Sequence, residues 1–555
     1  MVEGEGFEPS KAEPSDLQSD PFDRSGTPPL RYKSAIMICL AECVNKLKQK
    51  HYTKGMLVPA QSAVSALDAF LTRPLATTLA RHETVSPHAT ALAQFHAAAA
   101  EVPAYRDFLQ KQAIDPTKVQ DFAAFQALPL MTKANYMRAY PLPARCRHGR
   151  LADCEMVAVS SGSTGASMFW PRSLAHELDV TTRFEQVFDG SFNAMQHTTL
   201  VVICFALGTW VGGMYTTACC RYLAQKGYAL SVVTPGNNKA EIYRVVTELA
   251  GYFDQTVLIG YPPFIKDVID TGIAQDIEWS RHSIKMMFAG EVFSEEWRSL
   301  VCNRVGADNP AYDTASLYGT ADAGVLGNET PLSITLRRFF ANTPEAARAL
   351  FGESRLPTLL QYDPLSRFFE VHEGTLVVTG DNGVPLLRYH IADQGGIISY
   401  AAMLDFMREW PLPAEAEALL FANNCHLPFV YLFGRADFTV SYFGANIYPE
   451  NITVGLEQPE ITEWVTGKFV LEVKENADQN KRLCVTVELL PNVDDTTERR
   501  TAIAASIHAQ LLRLNSEFAH YVPAEYQQPE IFLLPAGDAS YFPVGVKHRY
   551  TRKTS

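Results

Sequence analysis

Between residues 199 and 306, short apolar runs alternate with longer mixed segments. Residues 199–205, 229–233, 256–259 and 285–289 are apolar and rich in β-branched side chains, and read as strands. Residues 212–226, 240–253, 263–270 and 294–306 carry apolar positions at helical spacing. Repeated strand–helix units of this length predict a largely parallel sheet covered on both faces. Ligands on such sheets lie beyond the carboxyl ends of strands. The loops after Val159, Ile259, Ala289 and Leu317 are therefore where chemistry is expected.

Upstream, residues 34–127 have a helical pattern, with Leu92, Phe95, Ala99 and Val102 in register. Residues 128–141 (LPLMTKANYMRAYP) predict a strand-like start and a helix capped by Thr132. From Leu376 the texture changes: LVVTG and PLLRYHIAD read as strands of a second, more antiparallel sheet. A new unit begins near Gly434. Residues 469–474 and 483–490 alternate at period two, residues 499–518 read as a helix, and EIFLLP as a strand. The expected fold is α/β: a large multi-sheet N-terminal domain over 34–433 with a mostly parallel sheet, and a small mobile α+β C-terminal domain over 434–555.

With 555 residues the chain is too long for one core, and 47% hydrophobic content is typical of globular proteins. A net charge of −13 argues against a nucleic-acid surface, so a polyanionic ligand must be held by local groups. Ten scattered cysteines show no zinc-finger spacing and read as reduced thiols of a cytoplasmic protein. No apolar run is long enough to span a membrane, and the N-terminus has no signal-peptide core. Residues 1–33 are polar and expected to be disordered. They resemble a peptide that recurs when a bacterial transfer-RNA gene is translated from a mis-called start, which would put the true start near Met37 or Met56.

The first chemical candidate is VAVSSGSTGASMFWPRS, residues 157–173. After a strand end come Ser160, Ser161, Gly162, Ser163, Thr164 and Gly165, with little side-chain bulk. Such a loop can turn N–H groups and hydroxyls toward one point and cradle a polyphosphate, with a helix N-terminus following. A flexible linker is the plain alternative. Further candidates follow in order: Gly290 and Glu291 after a strand; Tyr318, Gly319, Thr320 and Asp322 in SLYGTADAG; Asp393 closing PLLRYHIAD; Arg435 and Asp437 at the domain boundary; and Lys547 in YFPVGVKHRY. A carboxylate at a strand end can accept both hydroxyls of a ribose, a tyrosine can stack on a ring, and an aspartate can hold a metal ion.

In this order the motifs resemble the adenylate-forming superfamily of acyl-CoA synthetases, adenylation domains and luciferases, most closely its phenylacetate–CoA ligase branch. That branch carries a TSGTTG loop, a strand followed by GAE, a YGxSE turn, RYRTGD, GRxDD…GxNxxP and a C-terminal GK. The segment LPLMTKANYMRAYP also resembles its LPFTTKxDLRxxYP. The resemblance covers about residues 95–550. It implies that Ser161 to Gly165 hold the triphosphate of ATP, and that Gly290, Glu291 and Tyr318 frame the adenine. Asp322 would stand at the Mg²⁺-linked position, Asp393 and Arg435 at the ribose, Asp437 at a hinge, and Lys547 at the carboxylate and α-phosphate.

RYRTGD has become RYHIAD, the metal-linked Glu is Asp322, GRxDD has lost its second acid to Phe438, and the Cys-x-Cys-Gly…His segment is reduced to Cys425-His426. These departures mark a divergent member. The implied reaction is activation of a small carboxylic acid by ATP and transfer to CoA. The alternatives are transfer to an amine or to a carrier-protein thiol supplied in trans, and a nucleotide-binding homologue that does not catalyse. Trp210, Gly212, Gly213, Tyr215 and Tyr261 are expected to wall a pocket for an aromatic or apolar acid, although Trp210 and Tyr215 also read as ordinary core aromatics.

Overall fold

Two short strands, β1 (Met156–Ser160) and β2 (Met168–Arg172), pair antiparallel, with Met156 opposite Arg172. They come from a computed structural model that describes residues 58–160, 168–352, 356–421, 426–435, 440–542 and 550–551. The chain divides into Met1–Pro59 and Ala60–Ser555, and every strand among the described residues belongs to the second unit.

The largest sheet has eleven strands. Its parallel part comprises β3 (Thr199–Ile203), β4 (Leu230–Val233), β5 (Gln255–Gly260), β6 (Ile284–Ala289) and β7 (Thr314–Thr320), in the order β4-β3-β5-β6-β7. Every residue of β3 and β5 is buried, as strands covered on both faces require. The intervening helices Val211–Lys226, Lys239–Leu249, Pro262–Ile273 and Glu295–Val305 fall where the periodicity predicts them. Their ends follow local chemistry: Asn238 and Ser294 cap by accepting main-chain N–H groups, and Gly227 and Gly306 stop their helices in the left-handed region.

The sheet then continues antiparallel through β8 (Gly324–Asn328), β9 (Thr358–Gln361), β10 (Arg367–His372), β11 (Thr375–Gly380), β12 (Leu386–Ile398) and β13 (Phe429–Arg435). The order from β7 is β8-β9-β13-β12-β11-β10. The strands after Leu376, expected in a second sheet, extend this one. The junction is the pair Asn328 and Gln361. Gln361 is buried there, accepting from Thr330 at 2.7 Å and donating to the Leu427 carbonyl at 2.9 Å. A buried amide pairing at one residue leaves no periodic trace in the sequence.

Residues 128–137 lie along β12. Met131 N–H donates to Arg388 O at 3.1 Å, and His390 N–H donates to Met131 O at 2.9 Å. Thr132 caps the helical turn Lys133–Met137, its Oγ accepting from Asn135 N–H while Asn135 Oδ1 accepts from Thr132 N–H.

Near the C-terminus, β14 (Val440–Tyr442) pairs with β15 (Ala445–Ile447). A three-stranded sheet joins β16 (Val465–Glu475), β17 (Lys481–Leu489) and β18 (Glu530–Leu534). The helix expected at 499–518 is two helices, Thr497–Leu514 and Ser516–Tyr521. Asn515 separates them because its side chain accepts from Phe518 N–H and caps the second. Every described cysteine is a free thiol, and no helix among the described residues is long and apolar enough to cross a membrane.

Candidate functional site

At the carboxyl end of β7 two tyrosine–aspartate bonds cross. Tyr318 Oη donates to Asp393 Oδ2 at 2.6 Å, and Tyr389 Oη donates to Asp322 Oδ2. Each segment supplies a tyrosine and, four residues later, an aspartate, and each tyrosine serves the other segment's aspartate. All four side chains are buried, so each bond is made in a setting where an unpaired carboxylate would be costly. Asp393 follows Ala392, a non-glycine residue at φ 67°, and stands opposite Arg435 in the β12–β13 ladder. Left-handed backbone at an alanine is strained, and such strain gathers at sites that need a side chain aimed.

The turn carrying Asp322 is held from below. Arg172, on β2, donates through Nη1 to Asp322 O at 3.3 Å and through Nη2 to Ala321 O. Asn382 Nδ2 donates to Asp322 O at 3.3 Å, and Thr320 Oγ accepts from Ala323 N–H at 3.1 Å. Gly319 lies beside Thr320 at the end of β7. Lys133 Nζ lies 3.7 Å from Asp322 Oδ2; the lysine side chain is 43% exposed and the aspartate 6%, so a wet cation faces a buried carboxylate.

Glu291 is tied to the C-terminal segment. Its Oε1 accepts from Gly444 N–H at 2.5 Å, and its Oε2 pairs with Lys481 Nζ at 2.6 Å. Gly290 and Gly444 both have φ above +80°, and a Cβ on either would strike the Tyr261 ring, at 2.8 Å and 2.2 Å. Glycine is needed at both because the backbones close on that ring.

The five residues expected to wall an acid pocket divide into two groups. Trp210 and Tyr261 meet Tyr521 of the C-terminal helix Ser516–Tyr521, with ring centroids 5.0 and 5.2 Å apart, and Phe205 packs on Tyr261 at 4.8 Å. Gly212 lies against the Phe205 ring, and Gly213 against the Ala206 carbonyl. Tyr215 faces the other way, toward Arg172 and His176. Burial pushes the Tyr215 and Tyr261 hydroxyls well above the ordinary phenol range.

Ser161, Gly162, Ser163, Thr164, Gly165, Asp437, Cys425 and Lys547 lie outside the described residues, as does the Arg435 side chain. Tyr389, Asn382, Lys133, Arg172, Lys481 and Tyr521 were given no role from the sequence. Lys133 carried a signal, since it stands in the LPLMTK stretch already singled out. So did Arg172, the one charged residue of MFWPR. Lys481 and Tyr521 carried none, because nothing local marks a partner so far upstream. Among the described residues, no three His, Cys, Asp or Glu side chains gather as a metal cluster. Asp322 is nevertheless a fitting single ligand for a magnesium ion that arrives with phosphates, which needs only one or two carboxylates.

No protein-family model and no curated protein matches the chain. Among solved structures it is similar to 2-hydroxyisobutyryl-CoA ligase in complex with 2-HIB-AMP and CoA in the thioesterification state. The identity is 13%, over 88% of this chain and 91% of that one, with a TM-score of 0.59. It is also similar to the amide bond synthetase McbA from Marinactinospora thermotolerans, at 12% identity over 71% and 69% and a TM-score of 0.42. A third is o-succinylbenzoate CoA synthetase from Bacillus subtilis, at 13% identity over 69% and 66% and a TM-score of 0.37. The agreement with the first of these over most of both chains gives this chain the fold of 2-hydroxyisobutyryl-CoA ligase.

Proposed function

We propose that this chain activates a carboxylic acid with ATP to an acyl-adenylate and passes the acyl group to CoA, as a divergent relative of the phenylacetate–CoA ligases. The observation that carries the reading is the crossing of Tyr318–Asp393 with Tyr389–Asp322. Two carboxylates and a stackable ring meet at the carboxyl end of a strand, where sheets of this kind bind nucleotides. In this reading Asp393 accepts the ribose hydroxyls, with Arg435 beside the same sugar. Tyr318, Gly290 and Glu291 frame the adenine, with Gly319 and Thr320 in the same turn. Ser161, Gly162, Ser163, Thr164 and Gly165 cradle the triphosphate.

A carboxylate attacking the α-phosphorus must overcome charge repulsion, and fixed cations and N–H groups lower that barrier. In this reading Lys547 would contact both the carboxylate and the α-phosphate, and Lys133, beside Asp322, adds a second ammonium. Asp322 would hold Mg²⁺, which when bound supplies further positive charge to the phosphates. The acid oxygen bonds to the α-phosphorus as the bond to pyrophosphate breaks. The CoA sulfur then bonds to the acyl carbon and AMP leaves. Residues 434–555 act as a mobile domain that turns about Asp437, carrying Lys547 away and parting Lys481 and Gly444 from Glu291. The rings of Phe205, Trp210 and Tyr261 favour an aromatic or apolar acid body.

ATP–pyrophosphate exchange across a panel of acids, trapped in parallel as hydroxamates, tests the first half-reaction. Charged amino acids giving the best exchange would refute an apolar pocket. AMP formation with and without CoA tests the acceptor: AMP release that does not depend on CoA sinks the CoA assignment.

A further inference from the structure

Behind Tyr215 the interior is unexpectedly basic. Arg172, His176, Tyr215 and Arg367 are all buried and adjoin one another. The Arg172 guanidinium lies 5.9 Å from the Tyr215 ring centre, and the His176 and Tyr215 rings are 6.3 Å apart. Arg367 Nη2 lies 2.8 Å from His176 Nε2. A guanidinium only donates, so Nε2 is the acceptor and the imidazole is neutral with its proton on Nδ1. Burial first, then the two arginines, hold the His176 pKa well below its ordinary value.

Donors outnumber acceptors here. Arg172 Nε, Arg367 Nε and Tyr215 Oη have no hydrogen-bond partner. Arg172 is only 1% exposed, and its described partners are the carbonyls of Ala321 and Asp322. Arg367 has one carboxylate, Asp179 at 3.2 Å, besides Ser366. The nearby Glu177 carboxylate accepts from Tyr222 at 3.2 Å, and burial raises its pKa. Three carboxylates among the described residues thus act on these two buried cations, Asp179, Glu177 and Asp322, and of these only Asp179 forms an ion pair with either. A buried charge without a counter-ion costs several kcal/mol, and buried donors without acceptors are rare. Both deficits are of the kind that an anionic ligand offsets.

The location is informative. A side chain built on Gly324, the first residue of β8, would start 3.4 Å from Tyr215 Oη and 3.1 Å from His176 Cε1. Arg172 holds the turn of Asp322 directly above. The unfilled donors therefore lie under the turn between β7 and β8.

We propose that Arg172, Arg367 and Tyr215 form a buried oxyanion subsite beneath the Asp322 turn, taking either a phosphate oxygen of the nucleotide or a second carboxylate on the acid. The subsite is independent of the ligase reading, but the identity of its two possible occupants rests on it. Calorimetric titration of the full chain with inorganic pyrophosphate, homophthalate and phenylacetate separates the sources. The variants are Arg172→Met, Arg367→Met and Tyr215→Phe, each with a thermal unfolding curve. Tyr215→Phe guards against misfolding, since the hydroxyl it removes has no partner in the protein. It should keep the wild-type unfolding temperature and weaken one oxyanion probe about tenfold or more.

Weakened pyrophosphate binding assigns the subsite to the nucleotide. Weakened homophthalate with unchanged phenylacetate assigns it to a dicarboxylic acid. Wild-type protein that binds neither oxyanion, or binding that all three variants leave intact, overturns the proposal. If the variants lose a probe while no acid supports pyrophosphate exchange, the subsite stands and the ligase reading falls.

Discussion

Among the buried arginines of the described residues, the groups around Arg298 and around Arg172 are built differently. Around Arg298 every guanidinium nitrogen is engaged: Nε and Nη2 with Glu295, Nη2 also with Glu329 at 2.6 Å, and Nη1 with Thr314 at 2.7 Å. Arg337 joins the same Glu295 and donates to the carbonyls of Pro357 and Phe293. Around Arg172 and Arg367 two Nε–H groups and a tyrosine hydroxyl have nothing to donate to. With every guanidinium nitrogen of Arg298 and Arg337 engaged, this network ties the helix Glu295–Val305 to the helix Pro331–Asn342 and the main sheet. An unsatisfied one, under a turn of the candidate site, is a place for a ligand.

The contrast breaks first in stability. Glu295→Gln removes the shared carboxylate of two buried arginines and should cost about 3–5 kcal/mol in denaturant unfolding, with little change in the ligand affinity of the remaining folded protein. Arg172→Met should cost less, about 1–3 kcal/mol, because it removes main-chain hydrogen bonds rather than an ion pair, and its main effect should be on oxyanion binding. Equal losses for the two variants would erase the distinction.

The crossed tyrosines give the next largest effect. Tyr318→Phe and Tyr389→Phe each remove one hydrogen bond to an aspartate and should lower kcat/KM for ATP in pyrophosphate exchange by about tenfold. The double variant should lose less than the product of the two, since the pairs share one centre. Strict multiplicativity would show that the bonds act separately.

How far this could be read from sequence depended on whether a feature was local. The alternation from Thr199 onward exposed the strands and helices of the parallel half, because these buried strands are mostly apolar and two of the helices are capped by Asn238 and Ser294. Thr132 was legible as a cap for the same reason. The order of motifs pointed to Tyr318, Asp322 and Asp393. Their crossing was not legible, since each bond joins residues about seventy positions apart. Nor was the split of the aromatic wall. Trp210 and Tyr215 lie on consecutive turns, yet one meets Tyr521 and the other Arg172, and that choice is made by elements packed from far along the chain.

The smallest expected effect is in pH dependence. His176 has a pKa lowered by burial and by Arg172 and Arg367, so below about pH 6.5 the unfolded chain takes up a proton that the folded chain refuses. Stability should therefore fall as pH drops below its ordinary value of 6.5, by at most about 1.4 kcal/mol per unit from this residue. His282 and His390, also lowered, add to the slope, so His176→Gln should reduce it rather than remove it. Burial alone would raise the Glu295 pKa, but Arg298 and Arg337 hold it below its ordinary 4.5. The paired network should thus lose stability only in the acid limb below that value, and a common midpoint for both losses would contradict the contrast.

The most direct measurement is acid-dependent ATP–pyrophosphate exchange in the wild-type chain and in Lys547→Ala. One class of acid should support exchange, and the variant should lose about a hundredfold or more while still binding ATP. ATP binding without exchange for any acid, or exchange that survives in Lys547→Ala, would contradict adenylate formation by this centre.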